Sequence, residues 1–260
     1  MRRRIPFVAV AVLALLMITP EVAAITDGQP DGDGHPMVGA VVYDIGGGVK
    51  DWGCSGSLLT PTVFLTAAHC VGYQTVGVDK LWVTFDPEFD AAGGTFVPAE
   101  AWYVHPDWNP LAIWNDIAVI LLAEEVALTD YAKLPSLGLL DGMKADKNLL
   151  SQLFTNVGYG CLVIPDVKPR ILDCDGVRRV STSTYGSLNR WWLRLNQNPI
   201  PVEGQGGICS GDSGGPHFLQ GTLTTVAVTN WLATCGTGSS FHARLDTAAA
   251  QGFILPFLDG

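Results

Sequence analysis

The chain has 260 residues, of which 48% are hydrophobic and 15% are charged, and its formal net charge at pH 7 is −10. This length and hydrophobic content are typical of a folded protein with a large core and exclude a disordered chain. The excess of acidic residues opposes binding to a phosphate backbone, so we expect no nucleic-acid partner.

The N-terminus has the three-part layout of a secretory signal peptide. Three arginines precede an apolar run at 5–18, and the small-residue segment 22–24 precedes a suitable cleavage point. A membrane anchor is the alternative, but this run has 14 residues, and a spanning helix needs about 20. We therefore predict a signal peptide at 1–24, a secreted domain at 25–260, and no stable membrane insertion after cleavage.

The remaining chain is built of short apolar runs separated by Gly, Pro, Asn and Asp, a pattern that predicts an all-β fold. Two helical segments are expected, one turn at 67–70 and a short C-terminal helix within 246–258. The predicted strands cover 37–43, 57–59, 63–66, 81–85, 117–122, 154–158 and 222–230.

Six cysteines follow the predicted cleavage point, and an even number in an exported chain predicts three disulfides. The pattern alone allows about 15 pairings. None of the spacings is that of a zinc site, so we expect no metal and no cofactor. The cysteines are Cys54, Cys70, Cys161, Cys174, Cys209 and Cys235.

One serine, Ser213, is surrounded by small residues in the segment Gly211-Asp212-Ser213-Gly214-Gly215-Pro216. A serine becomes a nucleophile when a base lies within hydrogen-bond reach and a third group orients that base. The spacing also fits the nucleophile elbow of α/β-hydrolases, which requires an acid and then a histidine after the serine. Here His217 and His242 both precede Asp246, so that fold is excluded.

Two upstream segments supply the missing groups. His69 stands among small residues in Thr66-Ala67-Ala68-His69-Cys70, and Asp116 stands at the head of the apolar run Asp116-Ile117-Ala118. A lone histidine or aspartate in such a place is usually structural. Together with the serine segment, they form a set in the order His, Asp, Ser.

This ordered set resembles the three signatures of the chymotrypsin/trypsin family, and the resemblance covers nearly the whole chain after the signal peptide. It implies two six-stranded antiparallel β-barrels with the active site in the cleft between them. It also implies that Ser213 attacks the scissile carbonyl, His69 transfers the proton and Asp116 orients the imidazole. The backbone N–H groups of Gly211 and Ser213 would form the oxyanion hole.

The resemblance carries two further expectations. The family's disulfides imply that Cys54 pairs with Cys70 and Cys209 with Cys235, which leaves Cys161 with Cys174. The family's activation mechanism implies an ion pair between the α-amine of Ile25 and the carboxylate of Asp212. Since Ile25 directly follows the predicted signal peptide, we expect signal cleavage itself to generate the active form.

The residues of the expected specificity pocket depart from the family. Trypsin-like enzymes carry an acid six residues before the serine, but here that position is Gly207, followed by Ile208. The family's Ser-Trp-Gly is replaced by Asn230-Trp231-Leu232, and Ser240 replaces a glycine of the pocket wall. We expect an uncharged, narrowed pocket that takes small or medium apolar side chains rather than Lys or Arg, and Asn230 to donate a hydrogen bond toward Asp116.

The sequence therefore predicts a monomeric serine endopeptidase with protein or peptide substrates. Two alternatives remain, a catalytically idle binding protein on the same fold and an esterase. Acidic residues at Asp86, Glu88 and Asp90 lie near a loop where some relatives hold calcium, but solvated loop charges are the simpler interpretation.

Overall fold

The computed structural model describes residues 28–73, 80–164, 167–197 and 206–258. Within these ranges the chain is mostly β-strand, and the strands form two closed antiparallel barrels. This is the fold class that the sequence predicts. Among the described residues, no helix is both long enough and apolar enough to span a membrane. The predicted signal peptide at 1–24 lies outside the described residues.

The first barrel comes from the N-terminal half of the chain. A two-residue strand, β1 (Gln29–Pro30), precedes it. The barrel strands are β2 (Val38–Asp44), β3 (Lys50–Leu58), β4 (Val63–Thr66), β5 (Leu81–Thr84), β6 (Val97–Val104) and β7 (Ala118–Leu122). They pair in the order β2, β3, β4, β7, β6, β5, and β5 pairs again with β2 to close the barrel. Val41, Phe64, Val83 and Ile120 are completely buried and belong to its core.

The second barrel comes from the C-terminal half. The strands of this half are β8 (Leu153–Gly158), β9 (Leu162–Val163), β10 (Leu172–Asp173), β11 (Arg179–Leu188), β12 (Trp192–Asn196), β13 (Pro216–Leu219), β14 (Thr225–Leu232) and β15 (Ser239–Arg244). The barrel strands pair in the order β11, β12, β15, β14, β13, β8, and β8 pairs with β11 to close the barrel. The short β1 extends this sheet by pairing with β11, and β9 pairs with β10 in a separate hairpin.

Helices are short. Both expected ones are present, α1 (Ala68–Gly72) and α3 (Ala248–Ile254), with single 3-10 turns at Asn148–Leu150 and Leu255–Phe257. The Thr247 side chain accepts the Ala250 backbone N–H at the start of α3 and so caps it. A third helix, α2 (Leu139–Ala145), was not predicted, because its N-cap is Gly138, which offers no capping side chain to mark its start.

A buried arginine, Arg178, joins the two barrels. Its guanidinium donates to the carbonyls of Val38 and Phe85 in the first barrel, at 3.0 and 2.9 Å, and to the Tyr159 hydroxyl at 3.3 Å. It also pairs with the buried Asp31 carboxylate at 3.0 Å. Because a buried charge must be paired to be tolerated, this network fixes how the barrels meet.

Candidate active site

The three residues of the predicted triad lie on elements of both barrels. His69 is in α1, directly after β4, and Asp116 precedes β7 by two residues. Ser213 lies in the loop before β13 of the second barrel, and its carbonyl accepts the N–H of Ser55 in β3 at 2.8 Å. This hydrogen bond fastens the serine loop to the first barrel, so all three residues line one cleft.

The Asp116 carboxylate holds His69 at two points. Its Oδ1 accepts the His69 backbone N–H at 2.8 Å, and its Oδ2 lies 2.7 Å from the ring Nδ1. The Asp116 side chain is 1% exposed, whereas the imidazole is 24% exposed. A carboxylate can only accept here, so Nδ1 carries the ring proton and Nε2 remains a base.

The cleft itself has a volume of about 430 Å³. It contains the predicted triad, Gly211 of the predicted oxyanion hole, and Asn230, Trp231 and Leu232 of the predicted substrate edge. Its lining is mixed polar and apolar. The remaining lining residues are Gly53, Tyr73, Trp108, Pro110, Ile113 and Ser210.

Asp212, the neighbour of Ser213, points into the interior. Its two carboxylate oxygens accept the backbone N–H groups of Gly160 and Cys209, both at 2.8 Å. A Cβ atom on Gly160 would collide with this carboxylate, which explains the glycine there. Burial raises the pKa of Asp212 to about 7, against the opposing effects of the two N–H groups and of Arg179.

Gly211 has the backbone conformation that a tight turn before Ser213 requires. Its φ is +99°, and a Cβ atom there would lie 3.0 Å from the Tyr159 carbonyl oxygen. The Gly211 carbonyl accepts the Ser55 hydroxyl at 2.9 Å, and that hydroxyl in turn accepts the Tyr159 N–H at 2.9 Å. The peptide that follows Gly211 is therefore held in a fixed orientation beside the serine.

A comparison with protein families matches the family described as Trypsin to residues 26–250. The chain belongs to the trypsin family. Relatives include chymotrypsin-C of Rattus norvegicus, 33% identical over 174 residues, which are 64% of this chain and 62% of the relative. Trypsin delta of Drosophila melanogaster is 26% identical over 205 residues, 78% of this chain and 77% of the relative.

Solved structures of low sequence identity share the trypsin-family fold. HL collagenase matches with a TM-score of 0.63 and 19% identity, covering 86% of this chain and 94% of the other. Human heparin binding protein matches with a TM-score of 0.64 and 18% identity, covering 90% and 96%. At these identities the likeness concerns the fold alone.

One contact expected from the family is different in this trypsin-family chain. The Asn230 side chain does not donate toward Asp116; its Nδ2 donates to the carbonyl of Ile113 at 3.1 Å. That carbonyl also accepts the indole N–H of Trp192 at 3.1 Å. Ile113 has a φ of +59°, an unusual value for a β-branched residue, and its carbonyl accepts both donors.

The residues of the expected specificity pocket differ in their exposure. Trp231 and Leu232 line the open cleft, whereas Ile208 and Ser240 are each 2% exposed and lie in the interior. The Ser240 hydroxyl lies 2.7 Å from His242 Nε2.

Sequence reasoning missed Gln197, whose side chain packs directly against Gly207. No motif marks Gln197, because its role depends on the pairing of β12 with β15.

All three expected disulfides are present: Cys54–Cys70, Cys161–Cys174 and Cys209–Cys235. The first joins β3 to α1, which carries His69, and the third joins the serine loop to the segment after β14. The disulfides therefore brace both walls of the cleft. Cys54 and Cys70 lie close to His69, but their sulfurs are bonded to each other and are not thiolates available to a metal.

The other histidines and the acidic loop have structural partners. His217 is completely buried between Asn156 Oδ1 and Thr229 Oγ1, at 2.7 and 2.9 Å, and burial lowers its pKa to about 3, so it is neutral. Asp86 accepts the Thr95 backbone N–H at 2.6 Å, and Asp90 accepts that of Ala92 at 2.9 Å. These carboxylates therefore hydrogen-bond to the backbone of their own loop.

Proposed function

We propose that this chain is a secreted serine endopeptidase that hydrolyses peptide bonds through an acyl-enzyme on Ser213. The observation that carries the proposal is the buried Asp116 carboxylate, which fixes His69 with Nε2 as the free base in the cleft that Ser213 also lines. His69 accepts the Ser213 proton as the serine attacks the carbonyl carbon, then gives it to the leaving amine. Water hydrolyses the acyl-enzyme by the same route.

The backbone N–H groups of Gly211 and Ser213 are proposed to stabilise the oxyanion of the tetrahedral intermediate. The support is that both peptides are held by their carbonyls. The Ser210 carbonyl, in the peptide of the Gly211 N–H, accepts the Cys161 N–H at 2.7 Å. The Asp212 carbonyl, in the peptide of the Ser213 N–H, accepts the Gly215 N–H at 2.8 Å, and a fixed peptide loses no energy in reorienting during the reaction. Such preorganised donors are each worth about 10²–10³ in rate.

Cleavage after Lys or Arg is not proposed. The position of the trypsin acid is Gly207, and Ile208 beside it is buried and apolar. A cationic side chain entering an uncharged pocket would lose hydration without gaining a counter-ion.

Activation is proposed to follow signal cleavage after Ala24, with the new α-amine of Ile25 pairing with Asp212. Ile25 lies outside the described residues. The support is that Asp212 is buried and its carboxylate accepts two backbone N–H groups. These donors carry no net charge, so a cation can still neutralise the carboxylate. N-terminal sequencing of the exported, active protein tests this: a start at any residue other than Ile25 rejects the mechanism.

Hydrolysis of a peptide and an ester substrate by Ser213→Ala tests the enzymatic proposal. We expect kcat to fall about 10⁶-fold, because the triad acts as a unit. Ser151→Ala, which changes an exposed serine outside the cleft, is the matched control and should retain full activity. No hydrolysis of either substrate by wild type would favour the idle binding protein, and equal rates for Ser213→Ala and wild type would reject Ser213 as the nucleophile. Hydrolysis of esters without peptides would favour the esterase.

A further inference from the structure

The Gln197 side chain packs against Gly207, the residue that stands where trypsin-like enzymes carry an acid. It follows β12, and its backbone N–H donates to the carbonyl of Gly238 at 2.9 Å. A Cβ atom on Gly207 would lie 2.9 Å from Gln197 Cβ and 2.7 Å from its Cδ, and would overlap its Oε1. The Gln197 side chain therefore fills the volume that a side chain at residue 207 would take.

The Gln197 amide is buried without partners. The residue is completely buried, and neither Oε1 nor Nε2 has a hydrogen-bond partner among the residues that the structure describes. Buried polar groups in folded proteins are nearly always satisfied, and leaving a donor or acceptor unpaired lowers stability. An amide with both ends unpaired beside the expected specificity pocket indicates a ligand group that supplies an acceptor and a donor together.

The surroundings of this amide favour a neutral ligand group. Ile208 is apolar and buried, and the Ser240 hydroxyl is engaged with His242 at 2.7 Å. Burial lowers the pKa of His242 well below its usual range, with His217 as a further cause, so the imidazole is uncharged. A charged substrate side chain would find no counter-ion among these residues.

We propose that Gln197 forms the floor of the primary specificity pocket and selects substrates with a glutamine or asparagine before the scissile bond. A carboxamide offers one acceptor and two donors in a plane, so it can make two complementary hydrogen bonds with the Gln197 amide. A carboxylate satisfies only Nε2, an ammonium satisfies only Oε1, and an aliphatic group satisfies neither. This selectivity rests on the proposed endopeptidase function, and it replaces the apolar preference expected from the sequence.

Peptides that differ only in the residue before the scissile bond test the proposal. We expect wild-type kcat/KM for Gln to exceed that for Met, which is similar in size, by roughly 10-fold or more, because unpaired polar groups in a pocket reject an apolar isostere. Glu and Arg peptides should also be poorer than Gln. In Gln197→Met the preference should reverse toward Met. In Gln251→Met, a matched control whose amide bonds the Pro135 carbonyl at 2.7 Å, it should be unchanged.

Two measurements keep this test independent of hydrolysis. Calorimetric binding of the same peptides to Ser213→Ala should show the same Gln preference. The thermal unfolding midpoint of Gln197→Met should rise by roughly 2–4 °C, since a buried unpaired amide is removed, and that of Gln251→Met should not rise. Equal binding of Gln and Met peptides, a stronger Glu, Arg or Leu peptide, or a lower midpoint for Gln197→Met overturns the proposal. Selective binding without hydrolysis rejects only the enzymatic function.

Discussion

The Asp116 carboxylate contacts both the backbone and the side chain of His69. One carboxylate oxygen lies 2.8 Å from the His69 backbone nitrogen, and the other lies 2.7 Å from the ring Nδ1. A single hydrogen bond to the ring would leave the imidazole free to rotate about that contact. The second bond, to the backbone N–H, fixes the carboxylate itself against α1. Orientation of the base is therefore set within the first barrel, independently of the serine loop.

Replacing Asp116 with Asn should lower kcat by about 10⁴-fold while leaving the fold intact. The amide presents an N–H where the carboxylate accepts, so the imidazole takes the tautomer with its proton on Nε2 and loses its function as a base. Ester and peptide hydrolysis measure the effect, and near-ultraviolet circular dichroism checks the fold. Asp130→Asn, an exposed aspartate, is the control. Near-normal kcat in Asp116→Asn contradicts the assigned role.

Gly160→Ala should reduce kcat/KM by roughly 100-fold, because small displacements of an active-site loop have effects of this order. The added methyl group collides with the Asp212 carboxylate and displaces the loop that carries Ser213. Gly252→Ala in α3 is the control, since a Cβ there meets no atom within 4 Å and alanine favours a helix. If both variants are equally active, the rigid packing around Asp212 does not position the serine.

The buried carboxyl of Asp212 gives stability a specific pH dependence. Its pKa of about 7 in the folded chain lies above its ordinary value of 3.8, so the folded state holds a proton that the unfolded state releases. The free energy of unfolding should therefore fall as pH rises from about 4 to 7, by up to about 1.4 kcal/mol per pH unit. Urea denaturation across this window should show a smaller slope for Asp212→Asn.

The same experiment on a chain beginning at Ile25 tests the activation proposal. An inserted α-ammonium would keep Asp212 charged and lower its pKa, so the stability loss between pH 4 and 7 should disappear. In the chain that retains Ala24, the Ile25 nitrogen is an uncharged peptide nitrogen, and the loss should persist. Identical slopes for the two chains would show that no ion pair forms.

Arg178→Met should destabilise the protein by about 3–5 kcal/mol, because it leaves the Asp31 carboxylate buried without its arginine. It also removes the hydrogen bonds to Val38 and Phe85 that join the barrels. Arg194→Met, at an exposed position of β12, should change stability by less than about 1 kcal/mol. Urea unfolding measures the stability of both variants. A similar small loss of stability in each would show that Arg178 is not needed at the barrel interface.

The sequence predicted the strands and the triad segments because both depend on local signals, and the two barrels followed from the family resemblance. Alternating apolar runs between turn residues indicate strands, and the small residues around His69 and Ser213 remain recognisable wherever they stand in a chain. Contacts set by non-local geometry were not predictable in this way. The Asn230 amide turns to the Ile113 carbonyl because of a positive φ that no sequence pattern marks.

Gln197 and Arg178 illustrate the same limit. Gln197 packs against Gly207, and Arg178 reaches Val38 from the other barrel. Long polar side chains such as these are usually exposed, so composition and spacing place them on the surface. Their roles follow from tertiary packing alone.

Labelling with a fluorophosphonate tests whether Ser213 is activated, since the reagent bonds a serine oxygen that an adjacent base has activated and releases fluoride. A working triad predicts one adduct, on Ser213, in the folded wild-type protein and at an unchanged rate in Ser151→Ala. Labelling should be abolished in Ser213→Ala and slowed by several orders of magnitude in His69→Ala. No adduct in folded wild type, or equal labelling of wild type and His69→Ala, would contradict the account.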